Sequence, residues 1–195
     1  RNLLKKDSVT AFSTVPALFQ PFFDKASINT LYLEFKENQK IDRNELISNL
    51  VENGYDPADL VTKPSSYALR GSVVDIFPSN SKYPVRIDLD DDLISSISIF
   101  DTDTQKTLRK INSFIVRPSR GFVLNINSIK IFKKNWRSRF KDDGEVFESV
   151  SKGKFISGIE FYSSLFYDEK PSLRDYFNGF NIFIVGDVKS ETKNY

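Results

Sequence analysis

The chain has 195 residues, 39% of them hydrophobic and 18 of them Phe, enough apolar material for one large core or parts of two. Its 28 basic and 26 acidic side chains nearly cancel and are spread along the sequence, so no whole-chain field selects nucleic acid or membrane as a partner. Cysteine and histidine are absent, which excludes disulfide scaffolds, thiolate chemistry, zinc sites and imidazole bases, and leaves carboxylates, Lys and Tyr as candidate acid and base groups.

The chain opens at Arg1 and contains no Met, so it reads as an internal piece of a longer polypeptide. With no signal-peptide pattern and no apolar run near the roughly 18 to 20 residues that span a bilayer, no membrane association is expected and the expected location is cytoplasmic.

Residues 8 to 35 hold the short apolar runs "SVTAF", "VPALFQPFF" and "NTLYLEF", which suggest a strand, a helix opening near Pro16 and a second strand. A clearer helix follows. Asp42 and Glu45 have capping-box spacing, Ile41 and Leu46 fit a hydrophobic staple, Gly54 can supply a left-handed C-terminal cap, and Leu46, Ile47, Leu50 and Val51 form the expected buried stripe. Asp56 followed by Pro57 suggests the start of a second, short helix.

From Tyr67 the hydrophobic period becomes two, with runs at 67–77, 84–89, 93–100 and 111–117 separated by turn-forming segments, the pattern of an antiparallel meander. Alternation turns Val85, Ile87 and Leu89 to one face and Arg86, Asp88 and, if the strand continues, Asp90 to the other. Gly71 interrupts the alternation of the first run and suggests a bulge. Beyond "VRPSRGF" the helical period returns: Ile129, Phe132, Trp136 and Phe140 share a stripe that ends at the "DDG" of residues 142–144. "EVFESVSKG" offers another short helix, "SLRDYF" a turn, and "NIFIVG" a buried strand bounded by Gly186. Helical, β and again helical composition predicts an α+β insert between pieces of a second unit.

Four features could carry function. Asp88, Asp90, Asp91 and Asp92, with Asp101 and Asp103, could hold Mg²⁺ or Ca²⁺, but the spacing lacks the pattern of a calcium loop and has no glycine to wrap an ion; the plainer reading is a solvated turn that protects a strand edge. No phosphate-loop pattern occurs among the eight glycines, so nucleotide hydrolysis by this segment is not expected. The basic helix carrying Lys130, Lys133, Lys134, Arg137, Arg139 and Lys141 could track a phosphate backbone, or could be an ordinary solvated face. Finally, Arg70 and Arg86 lie on runs expected to neighbour each other in the sheet. They make either a positive interaction spot beside Asp88 and Asp90, or intradomain ion pairs with those aspartates worth roughly 0 to 1 kcal/mol. The residues alone leave these two readings even.

The stretch "YALRGSVVDIFPSNSKYPVRIDLDDDLISSISIFDTDTQKTLRKINSFIVRPSRGF" resembles the module shared by the excinuclease subunit UvrB and the transcription-repair coupling factors, whose pattern runs R-G, a D-I-rich strand, F-P, then R-[IL]-[DE]-F-F and F-D-x-x-[ST]-Q. "RNELISNLVENGY" before it, and "WRSRF", "VSKGKFISGIEFYSSLFY" and "LRDYF" after it, extend the resemblance over nearly the whole chain and favour the coupling factor. The resemblance implies three parts. Residues 1–35 would end the first part of a degenerate α/β RecA-like domain, 36–123 would be the inserted UvrA-binding domain, and 124–195 would resume the RecA-like domain. It further implies a non-catalytic module that recruits UvrA to RNA polymerase stalled at DNA damage. It implies no cofactor and no metal in this segment, with ATP and Mg²⁺ bound by a DNA-translocating motor elsewhere in the parent. The family's UvrA contacts map onto Arg70 and Arg86, which tips the contest toward an interface. Its aromatic contact, the second position of the F-F pair, falls on Asp90. An aromatic there can supply about 2 kcal/mol, so an aspartate implies weakened or rebuilt binding. The alternatives are UvrB itself and, from another class, a metal-dependent enzyme using the Asp88–Asp92 carboxylates.

Overall fold

The computed structural model of the chain describes residues 12–19, 21–23, 28, 31–169, 171–177 and 181. Nearly all of the expected strands at "NIFIVG" and "SVTAF" lies outside these residues. The architecture is α+β: an antiparallel sheet covered on one face, followed by a helical segment with its own aromatic core. No helix among the described residues is long and apolar enough to cross a membrane.

Helix α1 (Val15–Phe19) forms where Pro16 suits a first helical turn. After strand β1 (Leu33–Lys36), helix α2 (Arg43–Glu52) starts on Asp42, whose carboxylate accepts the N–H groups of Asn44 at 2.7 Å and Glu45 at 3.0 Å. It ends in a Schellman motif: Tyr55 N–H donates to Leu50 O and Gly54 N–H to Val51 O, with Gly54 left-handed at φ +82°. Leu46 and Leu50 are buried and Ile47 packs beside them, whereas Val51 is 36% exposed. The expected stripe is therefore one residue too wide, because Val51 lies about 100° round the helix from Leu50.

The Asp56–Pro57 pair does not begin a helix. It forms the short strand β2 (Asp56–Pro57), parallel to β3, with Asp56 N–H donating to Ser65 O and Ala58 N–H to Tyr67 O. Pro57, with no N–H to donate, suits this edge position, and the extended backbone it favours at Asp56 fits a strand as well as a helix cap. The run at 67–77 is a hairpin, β3 (Ser66–Arg70) and β4 (Val73–Phe77), and Gly71, left-handed at φ +57°, occupies its two-residue turn rather than a bulge. Strands β5 (Val85–Asp90), β6 (Leu93–Phe100) and β7 (Thr107–Lys110) complete the sheet in the order β2-β3-β4-β5-β6-β7, antiparallel from β3 onward. The bulge lies instead in β6: Ser96 faces Asp88 and Ile94 faces Leu89, leaving Ser95 as the extra residue, its hydroxyl on the Asp88 carbonyl at 2.9 Å. Strand β7 lies in the segment expected as a turn, and the last expected run holds β8 (Ser113–Val116), which leaves the sheet and pairs antiparallel with β1, where Phe35 and Phe114 pack with ring centroids 5.2 Å apart.

The inner face of the large sheet (Val74, Ile76, Val85, Ile87, Ile94, Ile97) buries against Leu46 and Leu50 of α2 and against Phe35 and Val116 of the small sheet. On the outer face a smaller cluster forms from Val61, Ala68, Phe77 and Phe100. Beyond Phe122, helix α3 (Ile126–Arg139) begins with a reciprocal box between Asn125 and Ser128, and α4 (Glu145–Ser151) follows. A 3-10 helix over Ile159–Phe166, which carries no clear helical period, closes their aromatic core, in which Phe166 stacks on Phe122 and Phe132. Phe140, expected on the buried stripe, is the C-cap and stays 41% exposed, its ring 4.4 Å from that of Trp136. "SLRDYF" forms a second short 3-10 helix, Leu173–Phe177, whose Tyr176 hydroxyl donates to Phe23 O.

Candidate protein interface

Strand alternation places Asp75 on the outer face of β4, directly opposite Ala68 of β3 and Arg86 of β5. Arg70 lies two residues further along β3, opposite Val73 beside the hairpin turn, and reaches Asp75 diagonally. The arginines are therefore not on neighbouring strands, as expected from the sequence; β4 separates them and its one carboxylate joins them. The reason is the hairpin at Gly71, which turns what reads as one strand into two.

The Asp75 side chain is 0% exposed. Arg86 holds it bidentately, Nε to Oδ1 at 2.7 Å and Nη2 to Oδ2 at 2.9 Å, while Arg70 adds an ion pair from Nη2 to Oδ2. Arg86 Nη1 also donates to Gln105 O at 3.3 Å, and its guanidinium lies over the Phe100 ring at 4.4 Å. The hydrogen bond to Asp75 raises the Arg86 pKa, burial opposes it, and the charges of Asp75 and Asp88 add to the rise. Arg86 is 18% exposed and Arg70 44%, so the two arginines differ in access although they share a partner.

Gln105 is held by its own turn. Asp101 Oδ1 accepts from the N–H groups of Asp103 and Thr104 and from Thr104 Oγ1, and Gln105 N–H donates to Asp101 O. Gln105 takes a left-handed φ of 59° and its amide donates to Thr102 O at 2.7 Å. With Arg70, Val73, Arg86 and Asp88 it lines an open depression of about 410 Å³.

The ion pairs that the sequence suggested between these arginines and Asp88 or Asp90 are replaced by those to Asp75. Asp88 instead accepts the Ser96 hydroxyl at 2.6 Å. Asp90 ends β5 on the outer face and is exposed, and Asp92 pairs with Lys40 at 3.6 Å. Asp91 takes the left-handed turn position at φ 52°. Among the described residues no three acidic side chains gather to hold a metal ion. On α3, Lys134 pairs with Asp168 at 2.8 Å and Arg137 lies over Phe147, so part of its basic face serves packing.

Asp75, Gln105 and Phe100 escaped the reading of the sequence. A signal for Asp75 was present: it is the lone acid inside the apolar run "VVDIF", where burial demands a paired partner. Gln105 follows an Asp-rich turn, and nothing local distinguishes its backbone carbonyl as an arginine acceptor.

Comparison with known proteins places this geometry. Residues 33–122 match the model of the UvrB interaction domain. The chain is 33% identical over 168 residues to the transcription-repair-coupling factor of Escherichia coli K12, an alignment covering 84% of this chain and 15% of that protein. It is 35% identical over 160 residues to the same factor of Haemophilus influenzae, covering 80% and 14%. It is also 29% identical over 211 residues to UvrABC system protein B of Mycoplasma mycoides, covering 95% and 31%. The chain thus spans about one seventh of the length of the coupling factors it matches. The sheet that carries Arg70, Asp75 and Arg86, with helix α2 beneath it, lies within the match to the UvrB interaction domain, in a chain similar over most of its length to transcription-repair-coupling factors.

Proposed function

We propose that the chain is the UvrB-like module of a transcription-repair-coupling factor, a non-catalytic unit that recruits UvrA for nucleotide excision repair in the cytoplasm. Residues 36–123 would bind UvrA, between the pieces 1–35 and 124–195 of a degenerate RecA-like domain. RNA polymerase, DNA, ATP and Mg²⁺ would be handled by other parts of the parent protein. Identities of 29 to 36% to coupling factors, against 26 to 29% to the UvrABC system protein B relatives, favour this placement over UvrB itself.

The observation that carries the reading is the domain match over residues 33–122. Its outer sheet face gathers Arg70 and Arg86 on one buried carboxylate, with Asp90 further along the same strand as Arg86. Arginines fixed in a fork geometry beside a surface depression suit recognition of a protein partner. The test is a titration of UvrA against the wild-type chain, the Arg70→Ala/Arg86→Lys variant and Asp90→Phe. The double variant keeps a cation on Asp75 while removing both forks, and is expected to weaken binding about tenfold or more. Asp90→Phe is expected to tighten it, because an aromatic anchor replaces a carboxylate that must be desolvated. Wild-type affinity in both would overturn the assignment.

A further inference from the structure

We propose that Asp75 divides labour between the two arginines: it locks Arg86 as a fixed strut and pre-orders Arg70 as the arm that meets a carboxylate on the partner. Arg70 is then the contacting residue and Asp75 a positioning residue. This rests on the reading of the outer face as the UvrA interface.

The hydrogen bonds separate the two roles. Arg86 engages all three of its nitrogens, two on Asp75 and one on the Gln105 carbonyl, and its plane covers the Phe100 ring. Moving it would break three hydrogen bonds and uncover a buried carboxylate, which no surface contact compensates. Arg70 reaches Asp75 through Nη2, on the same Oδ2 that Arg86 Nη2 occupies. With Nη2 anchored there, Arg70 presents its remaining guanidinium N–H groups to a partner without breaking the ion pair. Its backbone is held by the β3–β4 ladder at the hairpin corner, so both ends of the side chain are positioned.

The chemistry of the partner group follows from what a guanidinium offers. Its spare N–H groups are donors only, and a carboxylate matches their fork bidentately. Asp88 lines the same depression, but the Ser96 hydroxyl occupies one of its oxygens and it lies on the far side of β4 from Arg70. Without Asp75, Arg70 would be a long, free side chain that must be ordered during binding; with it, much of that ordering is complete beforehand.

This assignment and a simple charge account predict opposite results. Asp75→Asn makes the face more positive by one charge, so charge alone predicts tighter binding to a carboxylate. Loss of positioning predicts weaker binding. The experiment titrates UvrA against the full chain as wild type, Arg70→Ala, Asp75→Asn, Arg70→Ala/Asp75→Asn and Arg86→Lys, at a temperature where circular dichroism shows each folded. Arg70→Ala is expected to bind about tenfold or more weakly, Asp75→Asn about three- to tenfold more weakly, and the double variant no more weakly than Arg70→Ala alone. Affinity of Asp75→Asn equal to or above wild type would overturn the proposal. So would an equal further loss when Asp75→Asn is added to Arg70→Ala, since Asp75 would then act without Arg70. If Asp75→Asn does not fold, Arg70→Lys carries the test: with charge kept and fork lost it should weaken binding by a similar factor, and wild-type affinity refutes the proposal. Wild-type binding by Arg70→Ala also refutes it, yet leaves the interface reading standing if Arg86→Lys binds weakly. Only wild-type affinity in every variant removes that reading.

Discussion

Arg86→Ala removes two of the three hydrogen bonds that hold the Asp75 carboxylate and leaves it, with no exposure of its own, to Arg70 alone. Breaking a buried ion pair from one side costs about 3 to 5 kcal/mol, and the remaining Arg70 contact places the expected loss near the lower end, about 3 kcal/mol. The lost contact with Phe100 acts in the same direction. For a chain of this size the loss lowers the melting temperature by roughly 6 to 12 °C. Arg70→Ala should cost about 1 kcal/mol or less, since its side chain is 44% exposed and Arg86 continues to satisfy both carboxylate oxygens. Asp75→Leu/Arg86→Met, which removes both charges beside the apolar Ala68, Phe77 and Phe100, should be less destabilised than Arg86→Ala. Scanning calorimetry or far-ultraviolet circular dichroism is the assay, because Trp136 belongs to the separate core of α3 and α4 and its fluorescence would follow that core. Equal losses for Arg70→Ala and Arg86→Ala, or a loss below about 1 kcal/mol for the latter, would refute the idea that Asp75 depends on Arg86.

Gly54→Ala should destabilise the chain by roughly 1 to 2 kcal/mol in chemical denaturation, because the left-handed backbone disfavours a Cβ and that atom would lie 2.7 Å from Ser119 Oγ. Tyr55→Phe removes a hydroxyl that donates to Arg117 O at 2.9 Å and accepts Ser79 N–H at 3.0 Å; an expected loss of about 1 to 3 kcal/mol would appear in the same measurement. Burial pushes the Tyr55 phenol up, so its contribution is complete below the ordinary tyrosine range and is lost as pH rises through the folded-state value, which an alkaline melting series would detect. Asp101 shows the opposite sign. The N–H and then the hydroxyl of Thr104 hold its carboxyl below the ordinary aspartate range, so the 101–105 turn keeps its protection above that range and loses it as pH falls through the lowered value, readable by carboxyl titration in nuclear magnetic resonance.

Local signals sufficed where one short segment supplies the whole cause. The Asp42 cap, the Gly54 stop and the alternation of Val85, Ile87 and Leu89 each depend on neighbours a few residues away, and each stands in the structure as the sequence predicts. The motif run from "RG" to "DTDTQ" identified the family for the same reason: it is contiguous. The two arginines were visible as candidates, but their mutual relation was not. Arg70, Asp75, Arg86 and Gln105 belong to four segments, and strand register, set by the Gly71 turn and the buried inner face, is what brings them to one carboxylate. Local pattern can state that a side chain faces outward; only the assembled sheet decides which opposite charge stands across from it, because ion pairs form through space between strands and not along the chain.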